Sequence, residues 1–212
     1  MIKDCSLYFV TGQDSSNGRD TVEVVTEALN GGVDIVQMRE KGLEKNKLIL
    51  LGMKLVDLCK KYDAVFIVND DPYIAKEINA DGVHLGQEDI MKISIDEARK
   101  IVGTEKIIGV STHSVSQFTL ANESDVDYIA YGPVFVTKTK DYYIGVDGVE
   151  KVLKIADKPV VFIGGINEKN VDALLEKGAK NVAMIRAISQ ADKVTDTVKR
   201  FKAIMNKKRI TV

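Results

Sequence analysis

Short apolar runs recur along the chain, separated by stretches in which apolar residues return at every third or fourth position. The runs occupy residues 7–10, 35–38, 65–68, 82–85, 107–110, 128–131, 160–163 and 182–185. Each is too short for a stable helix and reads as a strand. The intervening segments read as helices. Residues 21–29 form an apolar-periodic stretch that stops at Gly31-Gly32, and residues 48–62 carry Leu51, Leu55, Leu58 and Cys59 at helical spacing. Pro72 opens a third helix after Asp70-Asp71, since Asp caps well and Pro is tolerated in a first turn. Residues 95–102, 115–121, 149–156, 171–177 and 194–205 complete the set, the Ser- and Thr-rich segment around Gln117 having the weakest helical pattern.

Strands that are apolar on both faces, alternating with helices, require a parallel sheet covered on both sides. Eight such units in 212 residues predict an α/β fold, a compact (β/α)8 TIM barrel, forming one domain over residues 1–212. A doubly wound open sheet is the rival. Eight strands, and no GxGxxG after the first, weigh against it.

Composition narrows the function classes. Thirty basic and 31 acidic residues leave a net charge of −1, so no overall field draws nucleic acid or an anionic membrane. No apolar run of about 18 residues is present to span a bilayer. The start, Met1-Ile2-Lys3-Asp4, lacks the layout of a signal peptide. Cys5 and Cys59 show no metal-ligand or redox spacing, and reduced structural thiols fit a cytoplasmic protein. The basic tail Lys207-Lys208-Arg209 reads as a solvated helix end.

Polar residues gather just after the strands, where all barrel strand ends meet at one mouth. The densest group is Gln37-Met38-Arg39-Glu40-Lys41, in which alternation turns Gln37, Arg39 and Lys41 to one side. A planar fork of donors and a compact ammonium suit a polyphosphate. Further groups are Asn69-Asp70-Asp71, Gly86-Gln87-Glu88-Asp89, Ser111-Thr112-His113, Thr137-Lys138-Thr139-Lys140, Gly164-Gly165, and Arg186 with Ser189. Asp70 and Asp89, on neighbouring strand ends, offer the hard oxygens that Mg²⁺ shares with phosphates and water. The plainer alternative makes Asp70 and Asp71 caps for the helix at Pro72 and Asp89 a turn residue, and for Asp71 the cap is preferred. No His or Cys cluster supports Zn²⁺. Gly164-Gly165, before a helix starting near Asn167, lets backbone N–H groups approach an anion or simply makes a tight turn. The Thr137–Lys140 stretch can fold over the mouth as a lid or stay solvated. His84 reads as a satisfied lining residue and His113 as an orienting one. No Ser-His-Asp or Cys-His layout is readable, and GxSxG is absent. Two anion-binding regions, one divalent cation and no covalent nucleophile suit loss of a diphosphate beside a second phosphorylated molecule.

The ordered set of these stretches resembles the thiamine-phosphate synthase family along nearly the whole chain. It comprises Tyr8-Phe9-Val10-Thr11, the Gln37–Lys41 stretch, Val68-Asn69-Asp70-Asp71, residues 80–89, and Gly109-Val110-Ser111. Gly132-Pro133-Val134-Phe135 with Thr137-Lys138-Thr139-Lys140, and Ile163-Gly164-Gly165-Ile166, complete it. The resemblance implies a (β/α)8 transferase that joins a hydroxymethylpyrimidine diphosphate to a thiazole phosphate and releases pyrophosphate. It implies Gln37 and Asn69 as pyrimidine contacts, with Arg39, Lys41, Ser111 and Lys140 as the catalytic diphosphate ligands. Asp70 and Asp89 are implied as Mg²⁺ carboxylates. Thr137, Thr139 and Gly165 are implied as thiazole-phosphate contacts, with Ile185 and Arg186. The family's chemistry is dissociative, the diphosphate leaving before the thiazole nitrogen attacks. The implied partners are these two small molecules, with no nucleic acid or membrane; the oligomeric state stays open, a homodimer included. Three positions depart from the family pattern. Val136 replaces a proline before the Thr-x-Thr-Lys loop, Thr11-Gly12 replaces Thr-Asp, and Arg186 replaces a small Ser. Arg186 can strengthen phosphate binding or turn outward.

Two rivals share the barrel. A thiazole tautomerase paralogue should lack both the Arg39/Lys41 and Asp70/Asp89 pairs, which this chain keeps. A non-catalytic regulatory barrel sensing a phosphorylated metabolite would be favoured by a degenerate site, and Arg186 is the only hint of one.

Overall fold

The computed structural model describes residues 2, 6–137 and 141–209. Eight parallel strands close into a barrel in chain order: β1 Leu7–Val10, β2 Ile35–Met38, β3 Val65–Asn69, β4 Gly82–Leu85, β5 Ile107–Thr112, β6 Tyr128–Tyr131, β7 Val160–Ile163 and β8 Asn181–Met184. β8 pairs back onto β1, with Tyr8 opposite Ala183, so no edge is left open. The major helices are α1 Thr21–Gly31, α2 Lys45–Lys61, α3 Pro72–Glu77, α5 Ile95–Val102, α6 Val115–Asn122, α7 Asp147–Leu153, α8 Val171–Glu176 and α10 Val194–Arg209. Two single turns, α4 Gln87–Ile90 and α9 Arg186–Ser189, follow β4 and β8, and a 3₁₀ turn, Gln13–Ser15, follows β1.

The predicted strands and major helices are all present. Their local chemistry explains where they stop. Gly32 takes φ 96° after α1 and its N–H reaches the carbonyls of Ala28 and Leu29. Asp71 caps α3 through the N–H groups of Tyr73 and Ile74, with Pro72 in the first turn. Ser114 caps α6, which turns the weakly patterned segment into helix. Helix α8 starts at Val171, as the 171–177 stretch predicts, and the helix start expected near Asn167 after Gly164-Gly165 is incorrect. Asn167 instead makes a turn, its N–H donating to Asn170 Oδ1 at 2.8 Å.

The apolar runs are continuous because each strand faces two cores. Leu7, Phe9, Val36, Phe66, Val68, Val83, Ile108, Ile129, Phe162 and Val182 point outward against the helices. Tyr8, Val10, Ile35, Ile67, Ile107, Tyr128, Val161 and Ala183 point into the barrel. Following that inward parity upward reaches Gln37, Asn69, His84 and Ser111, so the interior changes from apolar to polar toward the C-terminal rim.

The opposite rim is tied by three aspartates, each just before an even strand. Asp34 accepts from the Leu7 N–H at 2.7 Å, Asp81 from Phe66 at 2.8 Å and Asp127 from Ile108 at 2.8 Å. These carboxylates join adjacent strands and belong to stability, as the N-terminal face of a barrel does.

Gly109 is required by the interior itself. A Cβ there would lie 2.0 Å from the Tyr128 ring, and both groups are buried. Gly109→Ala is expected to destabilise the fold by about 3 kcal/mol through overpacking, lowering the melting temperature by about 6–12 °C. Thermal unfolding followed by circular dichroism checks it, and an unchanged midpoint would show that the ring moves aside freely.

Candidate active site

The inward residues of the upper strands enclose a cavity of about 630 Å³ at the C-terminal mouth. Gln37, Arg39 and Lys41 all line it, which is the one-sided alternation expected of that stretch. Asn69, Ser111, Thr137, Gly165, Ile185 and Arg186 line it too. Thr139 and Lys140 lie outside the described residues. A neighbouring groove of about 710 Å³, running past Glu168, Lys193 and Arg200, shares Asn167, Ala187 and Gln190 with the mouth. The strand-end groups converge on the former.

The stretch after β2 is held rigid by Glu40, to which the sequence alone assigns no role. Its buried carboxylate accepts from Thr11 Oγ1 at 2.7 Å, from the Gln13 N–H at 2.7 Å and from Thr21 Oγ1 at 3.0 Å. The Arg39 N–H donates to Thr11 Oγ1 at 3.1 Å, so the two cations project from a fixed backbone. Alternation is the signal that distinguishes Glu40 from its neighbours, because it turns away from the cavity. Neither the Arg39 guanidinium nor the Lys41 ammonium has a hydrogen-bond partner among the described residues, and Arg186 is alike in this. Three cationic residues thus line a cavity with no anion hydrogen-bonded to their side chains among the described residues.

Asp70 and Asp89 are not in the cavity wall but lie together at its rim. Burial first, then the hydrogen bond and charge of Asp89, push the Asp70 carboxyl up to about 6, against the opposing pull of Lys41 and Arg39. Asp70 sits at φ 69° with its N–H bonded to the His84 carbonyl at 2.8 Å, which turns the chain sharply at the strand end. Asp89 Oδ2 accepts from the Gly86 N–H at 3.0 Å, so part of it does serve the turn of α4. Among the described residues no cluster of three or more His, Cys, Asp and Glu is present. A carboxylate pair alone suits an oxygen-seeking ion that completes its shell with phosphate and water, as Mg²⁺ does.

The remaining rim is built from close backbone approach. Gly164 and Gly165 have φ 104° and 67°, and a Cβ on Gly165 would lie 2.4 Å from the Val136 carbonyl oxygen. Only glycine fits this turn against the loop after β6. His113 Nδ1 lies 2.5 Å from the Gly132 carbonyl and steadies the start of that loop, which is the orienting role expected of it. Gln87 Nε2 donates to the Ser111 carbonyl at 2.7 Å and fixes the end of β5. Ser189 does not reach the mouth. It is buried and donates to the Ser15 carbonyl at 2.7 Å. His84, also buried, is satisfied on both ring nitrogens, by Tyr128 Oη and Ser111 Oγ, and burial drives its imidazole down to about 4. No helix of the described residues is long and apolar enough to cross a membrane.

Comparison with known proteins gives this geometry a family. Residues 7–188 match the family described as thiamine monophosphate synthase. The thiamine-phosphate synthase of Persephonella marina is 42% identical over 204 residues, covering 95% of this chain and 96% of the relative. That of Halalkalibacterium halodurans is 38% identical over 212 residues, covering 99% of each. The solved thiamine phosphate pyrophosphorylase from Pyrococcus furiosus superposes with a TM-score of 0.88 at 34% identity over 96% of both chains. The barrel, the order of its strand-end groups and these near-full-length matches agree, and the chain belongs to the thiamine monophosphate synthase family.

Proposed function

We propose that this chain, a transferase forming thiamine phosphate as its family does, performs the condensation at the described mouth by dissociative loss of diphosphate. The observation that carries the reading is that Arg39 and Lys41, whose side chains have no hydrogen-bond partner among the described residues, stand beside the carboxylate pair Asp70 and Asp89. The substrates are a pyrimidine carrying a methylene diphosphate and a thiazole carrying a phosphate. The bond from the methylene carbon to the diphosphate oxygen breaks, and its electron pair leaves with the diphosphate. The lone pair of the thiazole nitrogen then forms the new C–N bond. No proton is lost in this exchange, which is why the site needs no general base.

Arg39, Lys41, Ser111 and Lys140 take the diphosphate, and Gln37 and Asn69 take the pyrimidine ring. Thr137, Thr139, Gly165, Ile185 and Arg186 take the thiazole phosphate. Asp70 and Asp89 would hold Mg²⁺, which supplies charge neutralisation to the departing diphosphate. The reading treats residues 1–212 as one catalytic domain working in the cytoplasm. A tautomerase has no use for either charged pair, so their joint retention favours the transferase.

The direct test supplies both phosphorylated substrates to the full chain and measures thiamine phosphate by chromatography. Product is expected with Mg²⁺ and none after EDTA, with recovery on adding Mg²⁺ back. No product in the presence of Mg²⁺ and both substrates would sink the reading.

A further inference from the structure

A hydrogen-bonded chain of side chains crosses the barrel interior under the cavity and joins Gln37 on β2 to Ser111 on β5. Gln37 Nε2 donates to Tyr8 Oη at 2.8 Å, and Tyr8 Oη lies 2.8 Å from Tyr128 Oη. Tyr128 Oη lies 2.8 Å from His84 Nδ1, and His84 Nε2 lies 2.8 Å from Ser111 Oγ. Among the described residues no buried side-chain polar atom lacks a partner.

The direction of this chain follows from counting hydrogens. Tyr8 Oη already accepts from Gln37, so its single proton belongs to Tyr128, its other partner. The Tyr128 proton then belongs to His84 Nδ1. Because His84 Nδ1 accepts that proton, the one N–H of the ring sits on Nε2 and donates to Ser111 Oγ. The Ser111 proton is left for the cavity. With the Gln37 amide in this orientation, any other arrangement leaves the proton of Tyr8 or of Tyr128, 2% and 0% exposed, without its acceptor. The whole chain reverses only if the Gln37 amide turns over and every proton moves with it.

We propose that Tyr8, Tyr128 and His84 form a polarity lock that couples recognition of the pyrimidine ring to recognition of the diphosphate. This rests on the substrate reading given above. A diphosphate oxygen carries only lone pairs and needs the Ser111 hydroxyl as a donor. The pyrimidine of the substrate reading is a 4-amino-2-methyl-5-(hydroxymethyl)pyrimidine, whose amino group needs an acceptor, and an amide that gives its nitrogen to Tyr8 turns its oxygen to the ligand. Both demands select the same direction, so each end of the substrate favours the arrangement that the other requires. Tyr8, Tyr128 and His84 act through Gln37 and Ser111 and are positioning residues.

The chain has only two histidines, which makes the direction readable by NMR. His113 serves as an internal reference, because its Nδ1 faces the Gly132 carbonyl and must carry a proton there. The full-length protein with ¹⁵N-labelled histidine is examined at pH 7, alone and with inorganic pyrophosphate and Mg²⁺. The expected result is a neutral Nε2–H tautomer for His84 in both states. Tyr8→Phe removes the proton that orients the chain. Both His84 tautomers should then appear, pyrophosphate binding should weaken about tenfold through loss of a charge-assisted hydrogen bond, and affinity for the thiazole phosphate should stay unchanged. An Nδ1–H tautomer or an imidazolium in the native pyrophosphate complex overturns the proposal. So does a Tyr8→Phe protein that keeps one tautomer and full pyrophosphate affinity. The native arm decides the matter if the variant misfolds. Neither arm requires turnover, so failure of the lock and failure of the condensation reading are told apart.

Discussion

Arg39→Ala should lower the rate of condensation by about two to three orders of magnitude, the usual loss when one preorganised donor to a developing anion is removed. Arg39 has little part in holding the fold together through its side chain. Its backbone N–H is tied to Thr11 Oγ1, yet its guanidinium has no hydrogen-bond partner among the described residues. Truncating it should therefore change stability by no more than about 0.5 kcal/mol. The loss falls on the leaving group, whose charge grows as the C–O bond breaks. The thiazole phosphate is assigned to the far side of the mouth, near Gly165, so its KM should hardly change. Arg39→Lys should recover part of the rate, since the charge returns without the planar fork. Single-turnover measurement of product formation, with the thiazole phosphate varied, separates the two effects. An unchanged rate, or a rise in the thiazole-phosphate KM that accounts for the whole loss, would remove Arg39 from the diphosphate site.

The strands were legible because a barrel strand buried on both faces leaves a short, uninterrupted apolar signature. Tyr8-Phe9 illustrates it, one ring lying inside the barrel and the next against the helices. Caps fixed several helix ends, as at Gly32, Asp71 and Ser114. What escaped were α4, α9 and the 3₁₀ turn, each too short to carry a period and held instead by contacts such as Asp89 with Gly86. The 171–177 period does mark α8, but the helix start expected near Asn167 fails for a related reason: the turn there is made by Asn170, a partner no periodicity announces. At the mouth, alternation after Ile35 was enough to bring Gln37, Arg39 and Lys41 to one wall. Glu40 and the interior tyrosines were overlooked for the opposite reason. Their roles depend on partners distant in sequence, Thr11 and Thr21 for Glu40 and His84 for Tyr128, which a single sequence does not bring together.

Asp70→Asn should abolish the response to Mg²⁺ while making the ligand-free protein more stable at pH 7. The sign follows from the carboxyl's raised pKa, about 6 in the fold through burial and the neighbouring Asp89, against about 3.9 in an unfolded chain. Below the lower value both states hold the proton and nothing is lost. Between the two, the folded state keeps a proton that the unfolded state has released, so stability falls as pH rises and the full cost is present above about 6. Because Asp70 is only partly buried, solvent screening reduces that cost to about 1 kcal/mol, or about 2–4 °C in melting temperature for a chain of this size. The asparagine keeps the backbone, since it tolerates the positive φ of this position as aspartate does. In the native protein a divalent cation must displace the same proton, so Mg²⁺ affinity in the presence of pyrophosphate should fall by up to about tenfold per unit as pH drops below about 6. Thermal shift measured from pH 4.5 to 8 (approximately, and with and without Mg²⁺ and pyrophosphate) reads both effects. The variant should melt higher than the native protein at pH 7 without ligands, lose the Mg²⁺-dependent shift, and condense its substrates about a hundredfold or more slowly. A variant that melts lower when ligand-free, or keeps its Mg²⁺ shift, would show that Asp70 is a cap and turn residue after all, and that the cation is held elsewhere.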